Sequence, residues 1–346
     1  LVYSNEDLER YMQSAIEVSS DRPVLVDRFL EDAIEVDVDC IADGELAVIG
    51  AIMEHVQLAG IHSGDSACAI PTFSLSQNVL EEISRATKAM ARELNVRGLM
   101  NVQFAVKGED VYVLEVNPRA SRTAPFVSKA IGVPLAKLAA KVMAGKTLSE
   151  LGFTKEIVPK HFSVKEPVFP FLRYQGSDTG LGPEMKSTGE VMGIDADLGL
   201  AYAKAQMAAP PALPKSGNVF ISVKDSDKES VVPLARDYIA LGFGVIATSG
   251  TAAMLAAAGI PVHRVFKLRE GRPHVLDRIK NGDVQLIINT PSGKIPREDE
   301  IKMRSGARTL KIPIITTMRA AQASVRGIAS LQKSSLQVKT LQEYHL

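Results

Sequence analysis

The run Met207-Ala-Ala-Pro-Pro-Ala-Leu-Pro-Lys-Ser-Gly217 constrains the fold more than any other stretch, because the rhythm of the chain changes across it. It is proline-rich and carries no hydrophobic period, which marks a linker. Before it, apolar alternation of period two recurs with short turns, the pattern of strands following one another directly. After it, strands alternate with helices. A boundary near residue 212 therefore divides the chain into residues 1–211 and 212–346.

In the first part, Asn5–Ser19 reads as an amphipathic helix capped by Ser4 or Asn5, with Leu8, Tyr11, Met12 and Ile16 as a core stripe. Strands are expected at Pro23–Phe29, Ile34–Ala42 and Leu46–Glu54, the last two joined by a turn at Asp43-Gly44, as an antiparallel meander. Glu35, Asp37 and Asp39 alternate and share one face with each other; with Asp27 they form an acidic set of the kind that usually faces solvent. The span from Glu54 to Ser66 holds two glycines, two histidines and two serines, and reads as a loop whose backbone can approach a ligand closely. A long helix, Ser76–Leu94, should turn Leu80, Ile83, Ala86, Met90 and Leu94 inward.

A hairpin follows: Met100–Val106, a turn at Lys107–Asp110, and Val111–Val116. Glu115 and Asn117 lie two apart and project from one face, which Gln103 on the neighbouring strand can share. Oxygen side chains converging there suit a hard cation such as Mg²⁺, which keeps waters and substrate phosphates in its shell. Arg119 and Arg122, just beyond, would meet remaining phosphate charge. A plain hairpin with a polar tip fits the same pattern. Beyond it come helices at Leu135–Ala144 and Thr147–Leu151 and a strand at Phe162–Phe171.

In the second part, strands at Val219–Val223, Gly244–Ala247, Val262–Val265, Val284–Asn289 and Ile312–Ile315 alternate with helices at Lys228–Leu241, Ala252–Ala258, Val275–Asn281, Asp299–Ala307 and Ala320–Leu331. That is the pattern of a doubly wound parallel sheet, whose ligands lie beyond the carboxyl ends of the strands. Thr248-Ser-Gly-Thr251 and Asn289-Thr-Pro-Ser-Gly-Lys294 fall at such ends and, with Lys228 and Lys267, have the composition of a phosphate pocket. Ordinary N-capping is the other reading of each hydroxyl cluster.

Formal charge is zero and aromatics are few, with no Trp, so neither a basic field nor a stacking platform argues for nucleic acid. Two cysteines, Cys40 and Cys68, fit a reduced cytoplasmic protein better than a disulfide framework. No stretch of 18 apolar residues escapes a charge or proline, so no membrane span is expected. The opening Leu-Val-Tyr, already strand-like and without an initiating Met, is expected to begin inside a domain.

The motif N-x-Q-F … E-V-N-P-R, over Asn101–Arg119, resembles the metal-binding strands of ATP-grasp ligases. Its continuation through Pro125–Ala130 and Val133–Gly145 resembles the large chain of the carbamoyl-phosphate synthetase family, and the resemblance runs over essentially the whole chain. It implies α/β and α+β architecture: a partial ATP-grasp domain (antiparallel sheet with helices), then a doubly wound, methylglyoxal-synthase-like regulatory domain. The implied reaction is ATP-dependent phosphorylation of carbamate to carbamoyl phosphate, serving arginine and pyrimidine biosynthesis. The implied ATP contacts are Arg28, Leu30, Glu35, Gly60, Ile61, His62, Ser63, Gln103 and Glu115. Gln103, Glu115 and Asn117 would hold Mg²⁺ or Mn²⁺, with Arg119 and Arg122 as catalytic clamps. Ser222, Lys228, Thr248, Thr251, Lys267, Asn289 and Thr290 would line an effector site for UMP or IMP.

The implied partners are the remainder of a large chain and a glutamine-amidotransferase small subunit, in a hetero-oligomer. Because nothing like the Gly-rich phosphate loop of an ATP-grasp site precedes Leu1, this polypeptide alone is expected to be inactive. Two departures stand out. Pro291 replaces a Thr, and an ornithine-type site suggested by Asp65, Glu166 and Thr316 has Gln57 for an acid and Ile314 for a Tyr, so an amino-group ligand would lose a charge partner. A purely regulatory nucleotide-binding module, or another ATP-grasp ligase, is the alternative. A methylglyoxal-synthase-type lyase is disfavoured, since His263 and His274 lie outside the pocket segments and Ser249 occupies the centre of T-S-G-T.

Overall fold

The computed structural model describes residues 2, 4–18, 24–57, 59–172, 181–290, 302–307, 310–333 and 336–346. Two sheets organise them. The first has seven strands, β1 (Ile34–Asp43), β2 (Ala47–His55), β3 (Cys68–Ile70), β4 (Arg97–Lys107), β5 (Asp110–Asn117), β6 (Phe162–Val168) and β7 (Gly189–Asp195), in the order β5-β4-β1-β2-β3-β6-β7. Every pairing is antiparallel. The second has five, β8 (Asn218–Val223), β9 (Gly244–Thr248), β10 (His263–Val265), β11 (Leu286–Thr290) and β12 (Ile314–Ile315), in the order β10-β9-β8-β11-β12, all parallel. This is the antiparallel sheet with helices, then doubly wound parallel sheet, that the two rhythms predict.

Alternation along the strands sorts the cores. On β1, Val36, Val38 and Cys40 pack with Val79, Ile83 and Ala91 of α2 (Gln77–Glu93), whose cap Ser76 accepts the Val79 N–H. The opposite face meets α3 (Ala124–Ile131) and α4 (Leu135–Met143) through Ile41, Val127 and Leu135. In the second sheet Val219, Ile221 and Val223 face one core while Phe220 faces another with Ile246 and Ile287, so helices cover both sides.

Several expectations are corrected. Residues 24–29 form no strand, and Val24, Leu25, Val26 and Phe29 are exposed. Pro23 lies outside the described residues. The first helix, α1 (Asn5–Val18), forms, but Leu8 and Met12 are only half-buried and Tyr11 is exposed. Leu94 is exposed, and Val79, Ile83, Thr87 and Ala91 are the buried residues of α2. Thr147–Leu151 is a single turn closed by the Leu151 N–H on the Thr147 carbonyl. Strand β6 stops at Val168, before a 3₁₀ turn at Pro170–Leu172. The start of the expected helix Asp299–Ala307 and the run 291–294 lie outside the described residues.

One helix was not expected: α5 (Leu198–Ala208), capped by Asp197, whose side chain accepts the Leu200 N–H. It is buried on nearly every side and joins both sheets in one core with Val56 and Val164 of the first part and Val219, Tyr238 and Ile328 of the second. Its close partner is the last helix, Met318–Lys333. Small residues allow the approach. A Cβ on Gly199 would lie 2.8 Å from the Arg326 carbonyl carbon and the Gly327 nitrogen, and one on Gly193 would lie 2.0 Å from the Ala201 oxygen.

Overpacking a backbone-to-backbone contact forces the helices apart. Gly199→Val should lower unfolding free energy in urea by about 1–3 kcal/mol, whereas Gly182→Val, with nothing within 4 Å of its Cβ, should leave it within about 0.5 kcal/mol.

Candidate functional site

Strand register builds the site. Glu115 on β5 lies opposite Gln103 on β4, which lies opposite Asp37 on β1; one step along, Asn117, Asn101 and Asp39 are aligned in the same way. Cross-strand partners share a face, so six polar side chains form two rows of three on the side away from α2. A bulge between Gln103 and Phe104 keeps this alignment: Val113 and Glu115 both find partners, and Leu114 is the extra residue. The predicted convergence of Gln103, Glu115 and Asn117 is therefore present.

Hydrogen bonds fix their orientation. The Asn117 Nδ2 donates to Glu115 Oε1 at 2.8 Å, and the Gln103 Nε2 donates to Ser63 Oγ at 3.1 Å. With the nitrogens so engaged, neither amide oxygen is bonded by a described residue. One carboxylate and two amide oxygens make an all-oxygen donor set that fits a hard divalent cation.

A cavity of about 680 Å³ opens over the rows. Asp37, Asn101, Gln103, Glu115 and Asn117 form its floor; His62, Ser63, Arg119, Arg122, Lys165 and Glu190 are among its walls. The loop carrying His62 and Ser63 is tied down from both ends. Asp65 accepts the Lys186 and Ser187 N–H groups at 2.8 Å each, and the His62 N–H donates to the Gly182 carbonyl at 2.8 Å. The His62 Nδ1 accepts the Gly64 N–H at 3.0 Å. Burial, then the Arg122 charge, holds the His62 imidazole below its usual pKa, so it stays neutral at pH 7. Arg122 reaches the Met185 sulfur.

The acidic run on β1 is not solvated, contrary to expectation. Glu35, Asp37 and Asp39 are 5, 1 and 2% exposed. Each finds a different compensation. Glu35 accepts the Gly60 N–H at 3.4 Å, Asp37 is 3.2 Å from His55 Nε2, and Asp39 accepts from Asn101 (3.0 Å), Ser121 (2.9 Å) and Thr123 (2.7 Å). Burial raises the Glu35 pKa and pushes Asp39 up to about 6, against the pull of those donors. The Asp37 Oδ1 is buried with no partner among the described residues.

The other expected nucleotide contacts lie apart from the cavity floor. Gly60, at φ +89, has its α-carbon against the Phe29 ring, beside Glu35. Ile61 is half-buried next to it. Arg28 is exposed and Leu30 half-buried, and neither lines the cavity. Sequence reasoning missed Asp37, Asn101, Ser187, Glu190 and above all Lys165, 1% exposed, whose Nζ donates to the Ser63 carbonyl at 2.9 Å. A lysine in the middle of the strand F-S-V-K-E-P-V was the available signal.

In the second sheet, Ser222, Thr248, Thr251, Asn289 and Thr290 converge at the carboxyl ends of β8, β9 and β11. Thr248 donates to Ser222 Oγ at 3.1 Å, Thr251 Oγ1 accepts the Val223 N–H at 3.3 Å, and Asn289 pairs in register with Ser222. Lys228 Nζ would lie 3.4 Å from a Cβ on Gly250, at the start of α7 (Ser249–Ala257). The Asn289 Nδ2 is buried without a partner among the described residues. Lys267 is exposed at the end of β10 and reaches none of these groups by a hydrogen bond. His274 caps α8 (Val275–Lys280) in a reciprocal box with Asp277, and His263 is exposed on the edge strand, so neither imidazole serves the pocket.

The suggested amino-group site is also occupied by structural duties. Asp65 is spent on two backbone N–H groups, Gln57 Oε1 accepts the Ala67 N–H at 2.6 Å, and burial pushes Glu166 up to about 8, which leaves it neutral at pH 7.

Residues 1–151 match the family described as carbamoyl-phosphate synthase L chain, ATP binding domain, and residues 230–316 match the MGS-like domain. The carbamoyl phosphate synthase large chain of Nostoc sp. is 57% identical over 99% of this chain, that of Pseudomonas aeruginosa 55% over 100%, and that of Archaeoglobus fulgidus 54% over 100%. This chain spans 32% of the length of each. Among solved structures, the biotin carboxylase domain of a single-chain bacterial carboxylase superposes over 59% of this chain and 58% of its own, with a TM-score of 0.42 and 18% identity.

The Asp39 carboxyl gives a test with a defined sign. Its folded pKa, about 6, lies above the ordinary 3.8, so its contribution to stability is full below about pH 4 and falls as pH rises through 6. The unfolding free energy of the chain relative to its Asp39→Asn variant should therefore decrease between pH 4 and 7, by up to about 3 kcal/mol. Denaturant titrations across that window measure it.

Proposed function

The chain belongs to the carbamoyl-phosphate synthase large-chain family, and from that premise we propose that its first part works in phosphoryl transfer from ATP to carbamate. It acts there as a ligase within a longer large chain, paired with a glutamine-amidotransferase subunit. The observation that carries this reading is the row Glu115–Gln103–Asp37 beneath a cavity walled by Arg119, Arg122 and Lys165. Gln103, Glu115 and Asn117 would hold Mg²⁺ or Mn²⁺. When bound, such an ion would neutralise phosphate charge.

The protein groups do the rest by position and charge. Arg119 and Arg122 orient the carbamate and the moving phosphoryl group, and their guanidinium forks suit planar, bidentate contact. Lys165, fixed by the Ser63 carbonyl, adds a positive charge to the cavity lining. His62 stays neutral and presents Nε2–H, since its Nδ1 is already an acceptor; it contacts nucleotide and takes no proton. Glu35, beside Gly60 and Phe29, is in place to accept ribose hydroxyls about 7 Å along β1 from Asp37. No side chain is needed as a nucleophile, because the carbamate oxygen attacks.

The second part, taken from residue 212, is the control element. Its pocket accepts a nucleoside monophosphate, UMP or IMP, with phosphate at Thr248, Thr251 and Lys228 and the Asn289 amide, without a partner among the described residues, as a donor to the ligand. The setting is cytoplasmic arginine and pyrimidine biosynthesis; no helix of the described residues is long and apolar enough to cross a membrane.

In a large chain carrying this region, Arg119→Ala should lower the rate of carbamoyl phosphate formation about 10²–10³-fold and change ATP affinity by less than about threefold, as for loss of a transition-state contact. An unchanged rate contradicts the role. The 346-residue chain by itself should show no bicarbonate-dependent ATPase in a phosphate-release assay, and turnover there would overturn its dependence on the remainder of the large chain.

A further inference from the structure

The effector pocket and the nucleotide edge of the first sheet are joined by one side chain that neither site accounts for. Lys224 directly follows β8. Its backbone N–H donates to Thr290 Oγ1 at 3.1 Å, so its main chain is anchored on a pocket residue that is 4% exposed. Its ammonium leaves the second sheet altogether and pairs with Asp32. The Lys224 side chain is only 13% exposed, whereas Asp32 is half in solvent.

Asp32 occupies a strained place. It sits at φ +63, in the left-handed region that a non-glycine residue enters at a cost, within a turn closed by the Ala33 N–H on the Leu30 carbonyl. Two residues later β1 begins, and Glu35 is its second residue. A second contact crosses from the same end of the parallel sheet. Thr317 Oγ1 donates to the Val56 carbonyl at 2.6 Å, at the root of the loop that carries Gly60 to Ser66. Thr317 is 4% exposed and also caps the last helix by accepting the Ala320 N–H, so it is a fixed anchor. Lys224–Asp32 is the adjustable member of the two: it has a long flexible side chain, an exposed partner, and a turn whose strained conformation the bridge helps to hold.

Resting on the reading of the second part as an effector domain, we propose that the Lys224–Asp32 bridge couples effector binding to the Leu30–Glu35 edge of the nucleotide site. The two states are bridge closed, with the turn held, and bridge open, with the turn released. A phosphate entering at Thr248, Thr251 and Lys228 adds negative charge on the pocket side of Lys224 and shifts the balance between them. By reciprocity, nucleotide at Glu35 alters effector affinity through the same contact.

Hydrogen exchange on the 346-residue chain tests this with UMP and IMP as probes. Binding of either to the wild type should change amide exchange over residues 30–36 by at least about threefold. In Lys224→Met and in Asp32→Asn that change should vanish, while both variants still bind the effector, with an affinity altered by no more than the coupling factor. Effector binding that leaves residues 30–36 unaltered in the wild type overturns the proposal, as does an equal change in both variants. If neither nucleotide binds the wild type, the effector reading itself is overturned and the coupling with it.

Discussion

Burying three carboxylates on one strand is the constraint to which the rest of the first part responds. Removing a charge from water costs several kcal/mol unless donors replace the lost hydration. Glu35, Asp37 and Asp39 are all within β1, and each draws its compensation from a different element. Glu35 takes Gly60 from the loop after β2, Asp37 takes His55 from β2 itself, and Asp39 takes Asn101 from β4 with Ser121 and Thr123 from the segment after β5. Those elements also carry Ser63, Gln103, Arg119 and Arg122. Satisfying the acids therefore assembles the cavity walls as a consequence.

Asp39 shows how far this goes. Ser121, which donates to it, also accepts the Ala124 N–H at the start of α3, and Thr123 accepts the Val127 N–H through its carbonyl. The arginine segment is thus pinned between a buried carboxylate and a helix start. Preorganisation of this kind matters in phosphoryl transfer, where catalysis is mostly positioning and charge placement. The loop of His62 and Ser63 is fixed in a comparable way by Asp65, whose carboxylate reaches the backbone at Lys186 and Ser187.

Much of this was legible in the residues. The change of rhythm across residues 207–217 separates an antiparallel from a parallel sheet, and the hairpin period places Glu115, Asn117 and Gln103 on one face, as found. What escaped has a physical reason in each case. An alternating strand reads the same whether its polar face meets water or is covered by loops distant in sequence, so the burial of Glu35, Asp37 and Asp39 left no local mark. Lys165 is buried by segments far from it in the chain. Leu8, Tyr11 and Met12 of α1 and the run Val24–Val26 have the composition of core yet are half-buried or exposed, because pattern reports what a surface could pack against and not whether a partner is there. Helix α5 was missed because it is apolar all round, with no amphipathic period to find.

The account depends on oxygens of two adjacent strands meeting at one divalent ion carrying a nucleotide's phosphates. Anomalous scattering from a crystal of the large chain grown with Mn²⁺ and a non-hydrolysable ATP analogue tests this most directly. The account predicts a Mn²⁺ peak within bonding distance of oxygens from Gln103, Glu115 and Asn117, with the remaining positions filled by phosphate and water. A peak elsewhere, with the Asn117–Glu115 and Gln103–Ser63 bonds as they stand here and nothing between them, would contradict it.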